Sequence, residues 1–60
     1  MNNEYYVVTT TYCWDRIVNK QEHVFKTKEA AQRFYDRKKK EFERSYEMSV
    51  DPIEIRHFED

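Results

Sequence analysis

The stretch Thr27–Met48, TKEAAQRFYDRKKKEFERSYEM, decides how this 60-residue chain folds. Thr27 has a side-chain oxygen suited to capping a helix start, and Glu29 puts a negative charge in the first turn, where the helix dipole favours it. At about 100° per residue, Ala31, Phe34, Tyr35, Phe42 and Tyr46 fall on one stripe flanked by Ala30. The spacing predicts one amphipathic helix from Thr27 to about Met48, ended by the restriction that Pro52 places on Asp51. Lys38 lies in the middle of the apolar stripe. Either its alkyl stem covers apolar surface while the amine reaches water, or the stripe stops being core there and Phe42 and Tyr46 belong to a partner's surface.

Upstream, Tyr5 to Trp14 is almost wholly β-branched or aromatic, the composition of a strand. Its two faces, Tyr6/Val8/Thr10/Tyr12/Trp14 and Tyr5/Val7/Thr9/Thr11/Cys13, are both fairly apolar, which suits a central strand covered on both sides. The bulkier first set is expected against the helix. A second strand, Gln21 to Lys26, follows through a hairpin. Asn19-Lys20 is the best turn candidate, because Asn tolerates a left-handed backbone, and that turn would set Trp14 opposite Phe25. A longer loop over Asp15–Lys20 would move the register, and the residues leave this open. Downstream, Pro52 to Phe58 alternates with period two, giving a third strand with Ile53 and Ile55 on one face. The expected fold is α+β, a single domain over residues 1–60. Its three-stranded antiparallel sheet has order 2-1-3, with the helix packed on one face.

Size and composition narrow the functions. A chain this short buries only ~60% of the surface its unfolded form exposes, and its one cysteine, Cys13, excludes an internal disulfide. Ten aromatic residues supply bulk instead. There is no glycine, which removes the phosphate-cradling loops and dinucleotide turns that need it. The first residues lack a basic segment followed by a long apolar run, so no secretory signal is expected. Tyr5 to Trp14 is too short and polar to span a bilayer. A reducing cytoplasm is the expected setting, with no membrane partner.

Charge is sorted along the chain. Lys26–Lys40 holds seven basic and two acidic residues, a net of +5; Glu41–Asp60 holds seven acidic and two basic, a net of −5. Arg33, Arg37, Lys40 and Arg44, at spacings of 4, 3 and 4, would form a basic stripe on a helix, a candidate nucleic-acid surface. Against it, Glu29/Arg33, Asp36/Lys40, Arg37/Glu41 and Lys39/Glu43 are i,i+4 pairs, and an acidic stripe of Glu29, Asp36, Glu43 and Glu47 would repel phosphate. The acids of the C-terminal third could mimic a row of phosphates, but the total charge of −1 gives this little support.

His23, His57 and Cys13 lack metal-ligand spacing, so no metal or other cofactor is expected. Ser45 and Ser49 have no nearby histidine, and Cys13 sits in an apolar strand that would raise its pKa. A domain of this size has little room for a water-excluding site. An enzyme is not expected, and no catalytic residue is assigned.

With its short charged chain and the tight strand–helix passage Val24-Phe25-Lys26-Thr27-Lys28-Glu29-Ala30-Ala31-Gln32-Arg33-Phe34-Tyr35, the protein resembles the small early proteins of phages and prophages. These include anti-defence and host-takeover inhibitors. That resemblance implies stoichiometric binding to a bacterial protein, often as a dimer. The residues themselves point the same way, because they carry more apolar surface than one small monomer hides. Tyr5, Val7, Cys13, Phe42, Tyr46 and Phe58 are the expected interface residues, for a protein target or for a homodimer closed over the sheet face that the helix leaves bare.

Overall fold

A computed structural model describes residues 3–58, and its elements run β1 (Glu4–Trp14), β2 (Ile17–Phe25), α1 (Lys28–Phe42), β3 (Met48–Val50) and β4 (Glu54–His57). The class is the expected α+β. β1 is central, with β2 antiparallel on one side and β3 and β4 sharing the other.

The hairpin turn is not at Asn19-Lys20. It is the two-residue turn Asp15-Arg16, with φ of 46° and 71°. Positive φ at both central positions is the backbone that best matches the twist of two strands. Asp tolerates this conformation; Arg16 carries a steric cost of ~1–2 kcal/mol for a left-handed residue with a Cβ. The compensation is length. β1 and β2 pair from Trp14↔Ile17 to Tyr6↔Phe25, so Phe25 lies opposite Tyr6 rather than Trp14. Ile17–Lys20, expected in the turn region, are strand.

Thr27 caps α1 as its side chain suggests, its Oγ1 accepting from the Ala30 amide at 3.2 Å. The helix lies on the Tyr6/Val8/Thr10/Tyr12 face. Phe34 meets His23 and Phe25 at ring separations of 4.5 and 5.2 Å, and those two residues flank Val8 and Tyr6 in the register. The helix ends at Phe42, six residues before Met48. The β1 edge accounts for this. Cys13 donates its amide to the Glu47 carbonyl at 2.7 Å, and the Asp51 amide donates to Thr9 at 2.9 Å. Met48–Val50 pairs with Thr10–Tyr12 in between. Continuing the helix would leave these β1 groups unpaired. The strand expected over Pro52–Phe58 is β4, Glu54–His57, and β3 is an additional, fourth strand made by Met48–Val50 where the helix was expected to end.

Only Val7, Val8 and Ala31 are fully buried apolar residues among those described. Val8 faces the helix, whereas Val7 faces away from it, and yet Val7 is 0% exposed. Arg56 of β4, opposite Tyr5, reaches Glu22 of β2, opposite Thr9. The bridge therefore crosses β1 diagonally at Val7. Beside it, Tyr5 stacks on Phe58 at 4.6 Å. The second sheet face is thus covered around Val7 and Tyr5 by an ion pair and an aromatic pair of the same chain, while Cys13, Val18 and Val24 on that face stay exposed. The extents are 43 × 22 × 11 Å and the radius of gyration is 13.0 Å, against ~10 Å for a compact chain of this length. The hairpin makes the molecule long and flat.

Candidate interaction surfaces

The hairpin tip is the most apolar exposed feature. β3 pairs with β1 only as far as Tyr12, so Cys13–Val18 extends past it. Trp14 and Ile17, directly opposite each other, are 60% and 67% exposed; Val18 on the other face is 61% exposed, and Cys13 is exposed beside it. The Tyr12 and Trp14 rings lie 6.0 Å apart and continue this surface toward the helix. The tip carries large apolar side chains on both faces. Ile17 and Val18, expected in the link between the first two strands, are part of this tip. The signal was there: Asp15 tolerates the left-handed backbone, and two β-branched residues follow at Ile17-Val18.

The expected interface residues do not form one patch. Tyr5, Val7 and Cys13 share the face away from the helix, and Phe58 joins Tyr5 there. Cys13 is eight residues along β1 from Tyr5, about 26 Å at the rise of a strand. Val7 is enclosed and offers no surface. Phe42 is half-buried, while Tyr46 is fully exposed and lies beyond the helix end, not on its stripe. The idea of a split stripe meets a local answer at Lys38. Its Nζ lies 5.6 Å from the Phe34 ring centre and 5.8 Å from that of Phe42, and it pairs with Glu41 at 3.1 Å. The stem covers both rings and the amine reaches solvent.

Between the second half of α1 and the hairpin lies a cleft of about 300 Å³, lined by Thr10, Gln21, His23, Lys38, Phe42 and Met48 among others. Its one hydroxyl–imidazole contact joins Thr10 Oγ1 and His23 Nε2 at 3.1 Å. Among the described residues, no carboxylate lines the cleft to orient that imidazole as a base. His23 also stacks on Phe34, which fits a packing role. Among the described residues, no three His, Cys, Asp or Glu side chains come together as a metal site. Cys13 and His57 belong to opposite ends of the β1 ladder.

The basic stripe is shorter than expected. Arg33, Arg37 and Lys40 are exposed on α1, but Arg44 falls past the helix end. None of the expected i,i+4 ion pairs closes among the described residues. The helix instead holds Lys38–Glu41 and a Gln32–Asp36 hydrogen bond of 2.9 Å. Arg37 lies over Phe34 at 5.7 Å. On the opposite sheet face, Arg56 donates to both Glu22 oxygens at 3.2 and 2.8 Å and to Glu54 at 3.1 and 3.2 Å. The hydrogen bonds from Arg56, with its charge, hold the Glu22 carboxyl below the ordinary range. The same bonds, first from Glu22 and then from Glu54, push the Arg56 guanidinium up, so it stays charged at any ordinary pH.

No protein-family model matches this chain, and no curated protein or solved structure matches it either. The geometry therefore carries the functional reading. No helix among the described residues is long and apolar enough to cross a membrane.

Proposed function

We propose that this is a non-enzymatic binding protein that acts by stoichiometric association with other protein chains. The protein target is of the kind that phage-type inhibitors engage in a bacterial cytoplasm, and a second copy of this chain is a further partner. One observation carries this reading. Among the described residues, seven large apolar side chains, Trp14, Ile17, Val18, Val24, Tyr46, Ile55 and Phe58, are more than half exposed, while the fully buried apolar set is Val7, Val8 and Ala31. Exposed aromatic and branched side chains on that scale fit protein interfaces. The homodimer expected through Tyr5, Val7 and Cys13 loses its central residue, because the Arg56–Glu22 bridge already covers Val7. Self-association therefore needs another surface.

A nucleic-acid partner is the second reading, and the exposed cations favour it: Arg33, Arg37, Lys39 and Lys40 are exposed on α1, and none forms an ion pair among the described residues. Titrating the protein with duplex and single-stranded DNA at low and moderate salt separates the two. The protein-binding reading expects no binding even at low salt. Binding that weakens steeply with salt, the mark of counterion release, would overturn it in favour of the basic stripe.

A further inference from the structure

We propose that β2 is a dimerisation edge: two copies join antiparallel through Ile17–Phe25, with the two-fold axis at Gln21, making one continuous sheet. This rests on the self-association part of the reading above and gives it a location.

Among the described residues β2 pairs only with β1, so one side of its nine residues has no strand beside it there. The opposite sheet edge is unsuited to pairing because it is split into strands of three and four residues around Pro52. The backbone direction along β2 is fixed by the β1 ladder. Thr9, Cys13 and Asn3 bond toward the β3/β4 side, so odd-numbered residues of β1 face that way and even-numbered ones face β2. The register Tyr6↔Phe25 to Trp14↔Ile17 then turns the odd-numbered groups of β2 toward β1. Residues Val18, Lys20, Glu22 and Val24 present their amides and carbonyls to the outside.

Two copies can therefore pair only even with even, which limits the axis to a few positions. With the axis at Lys20, like charges meet at its centre; with the axis at Glu22, two carboxylates meet. The axis at Gln21 alone places Lys20 against Glu22 of the second copy and Val18 against Val24, each twice. On the helix side it places Ile17 against Phe25 and Asn19 against His23. Val18 and Val24, 61% and 60% exposed in the single chain, cover each other. A carboxylate accepts several hydrogen bonds, so Glu22 can keep Arg56 while receiving Lys20. Opposite charges and branched side chains directly across an antiparallel pair are the contacts that stabilise it. The sequence IVNKQEHVF is thus complementary to its own reverse in charge and in shape.

The test uses intact protein with Cys13→Ser, so that an introduced thiol is the only one. Across the axis, Gln21 faces its own copy as a non-hydrogen-bonded pair ~4.5 Å apart at Cα, inside disulfide range. Gln21→Cys should form a covalent dimer on mild oxidation. Asn19→Cys, whose copy lies ~13 Å away at four residues' rise, should do so at least tenfold more slowly, and the difference should vanish in denaturant. Sedimentation then reads the charges. Lys20→Glu and Glu22→Lys should each weaken self-association, and an equimolar mixture of the two should restore it as a heterodimer, with circular dichroism verifying that each is folded. A wild-type protein that stays monomeric to roughly 100 µM would overturn self-association altogether. A dimer in which Gln21→Cys and Asn19→Cys link equally, or which Lys20→Glu leaves intact, would overturn the β2 edge alone.

Discussion

Replacing Arg16 with glycine should stabilise the protein, and the sign of the effect tests where the hairpin turns. Arg16 has φ of 71°, where a residue with a Cβ loses ~1–2 kcal/mol. Glycine removes that cost but adds ~0.5–1 kcal/mol of backbone entropy to the unfolded chain. Setting the low ends of the two ranges against each other, and likewise the high ends, leaves a net gain of about 0.5–1 kcal/mol. For a domain of this size each kcal/mol moves the midpoint by ~4–8 °C, so Tm should rise by about 2–8 °C. Thermal and urea melts followed by circular dichroism at one fixed, low concentration would measure it. The companion Lys20→Gly puts glycine inside β2 and should cost ~0.5–1 kcal/mol. A turn at Asn19-Lys20 would exchange the two signs. A destabilising Arg16→Gly together with a neutral or stabilising Lys20→Gly would refute the register and everything drawn from it.

Phe34→Ala should cost about 3 kcal/mol, the lower end for a large aromatic, because Phe34 is half-buried between Phe25, His23 and Lys38; chemical denaturation should show most of the stability gone. Tyr46→Ala should change stability by less than ~0.5 kcal/mol, since the residue is fully exposed beyond the helix, and a larger loss in a urea melt would put Tyr46 back on a helical stripe. Acid should weaken the fold through Glu22. Its folded pKa lies below the ordinary value, so its contribution is complete above the unfolded carboxylate pKa of ~4.3 and is lost as pH falls through the lower folded value. Melts across that window should show Tm falling, and Glu22→Gln should fall less steeply.

Much of the fold was legible because local signals and tertiary demand agreed. The branched and aromatic run from Tyr5 suits a central strand, Thr27 caps the helix, and the Phe34 stripe meets the bulkier face of β1. The structure departs from the expected elements where strand pairing outweighs local preference. Nothing in Glu43–Met48 stops a helix, yet the free amide of Cys13 and the carbonyl of Thr9 draw Glu47 to Asp51 into the sheet. Asn19 is the better left-handed residue, yet a turn at Asp15-Arg16 lengthens the ladder to nine residue pairs. The candidate site was less legible for a related reason. A strand pattern assigns Val7 and Arg56 to a face, but the diagonal bridge to Glu22 depends on a register spanning three strands. Once that bridge forms, the apolar face expected to seek a partner is partly closed, and exposed apolar surface shifts to the hairpin tip and the β2 edge.

The most direct test of the protein-binding account places a photoreactive phenylalanine analogue at Trp14, 60% exposed at the hairpin tip, with a control at Lys28 on the exposed start of the helix. Both variants are irradiated in the bacterial cytoplasm. The account predicts a discrete adduct between the Trp14 probe and one protein of defined mass, absent from the Lys28 control and reproduced at 1:1 stoichiometry with the two purified proteins. No adduct at Trp14, or the same diffuse spread from both positions, would contradict it.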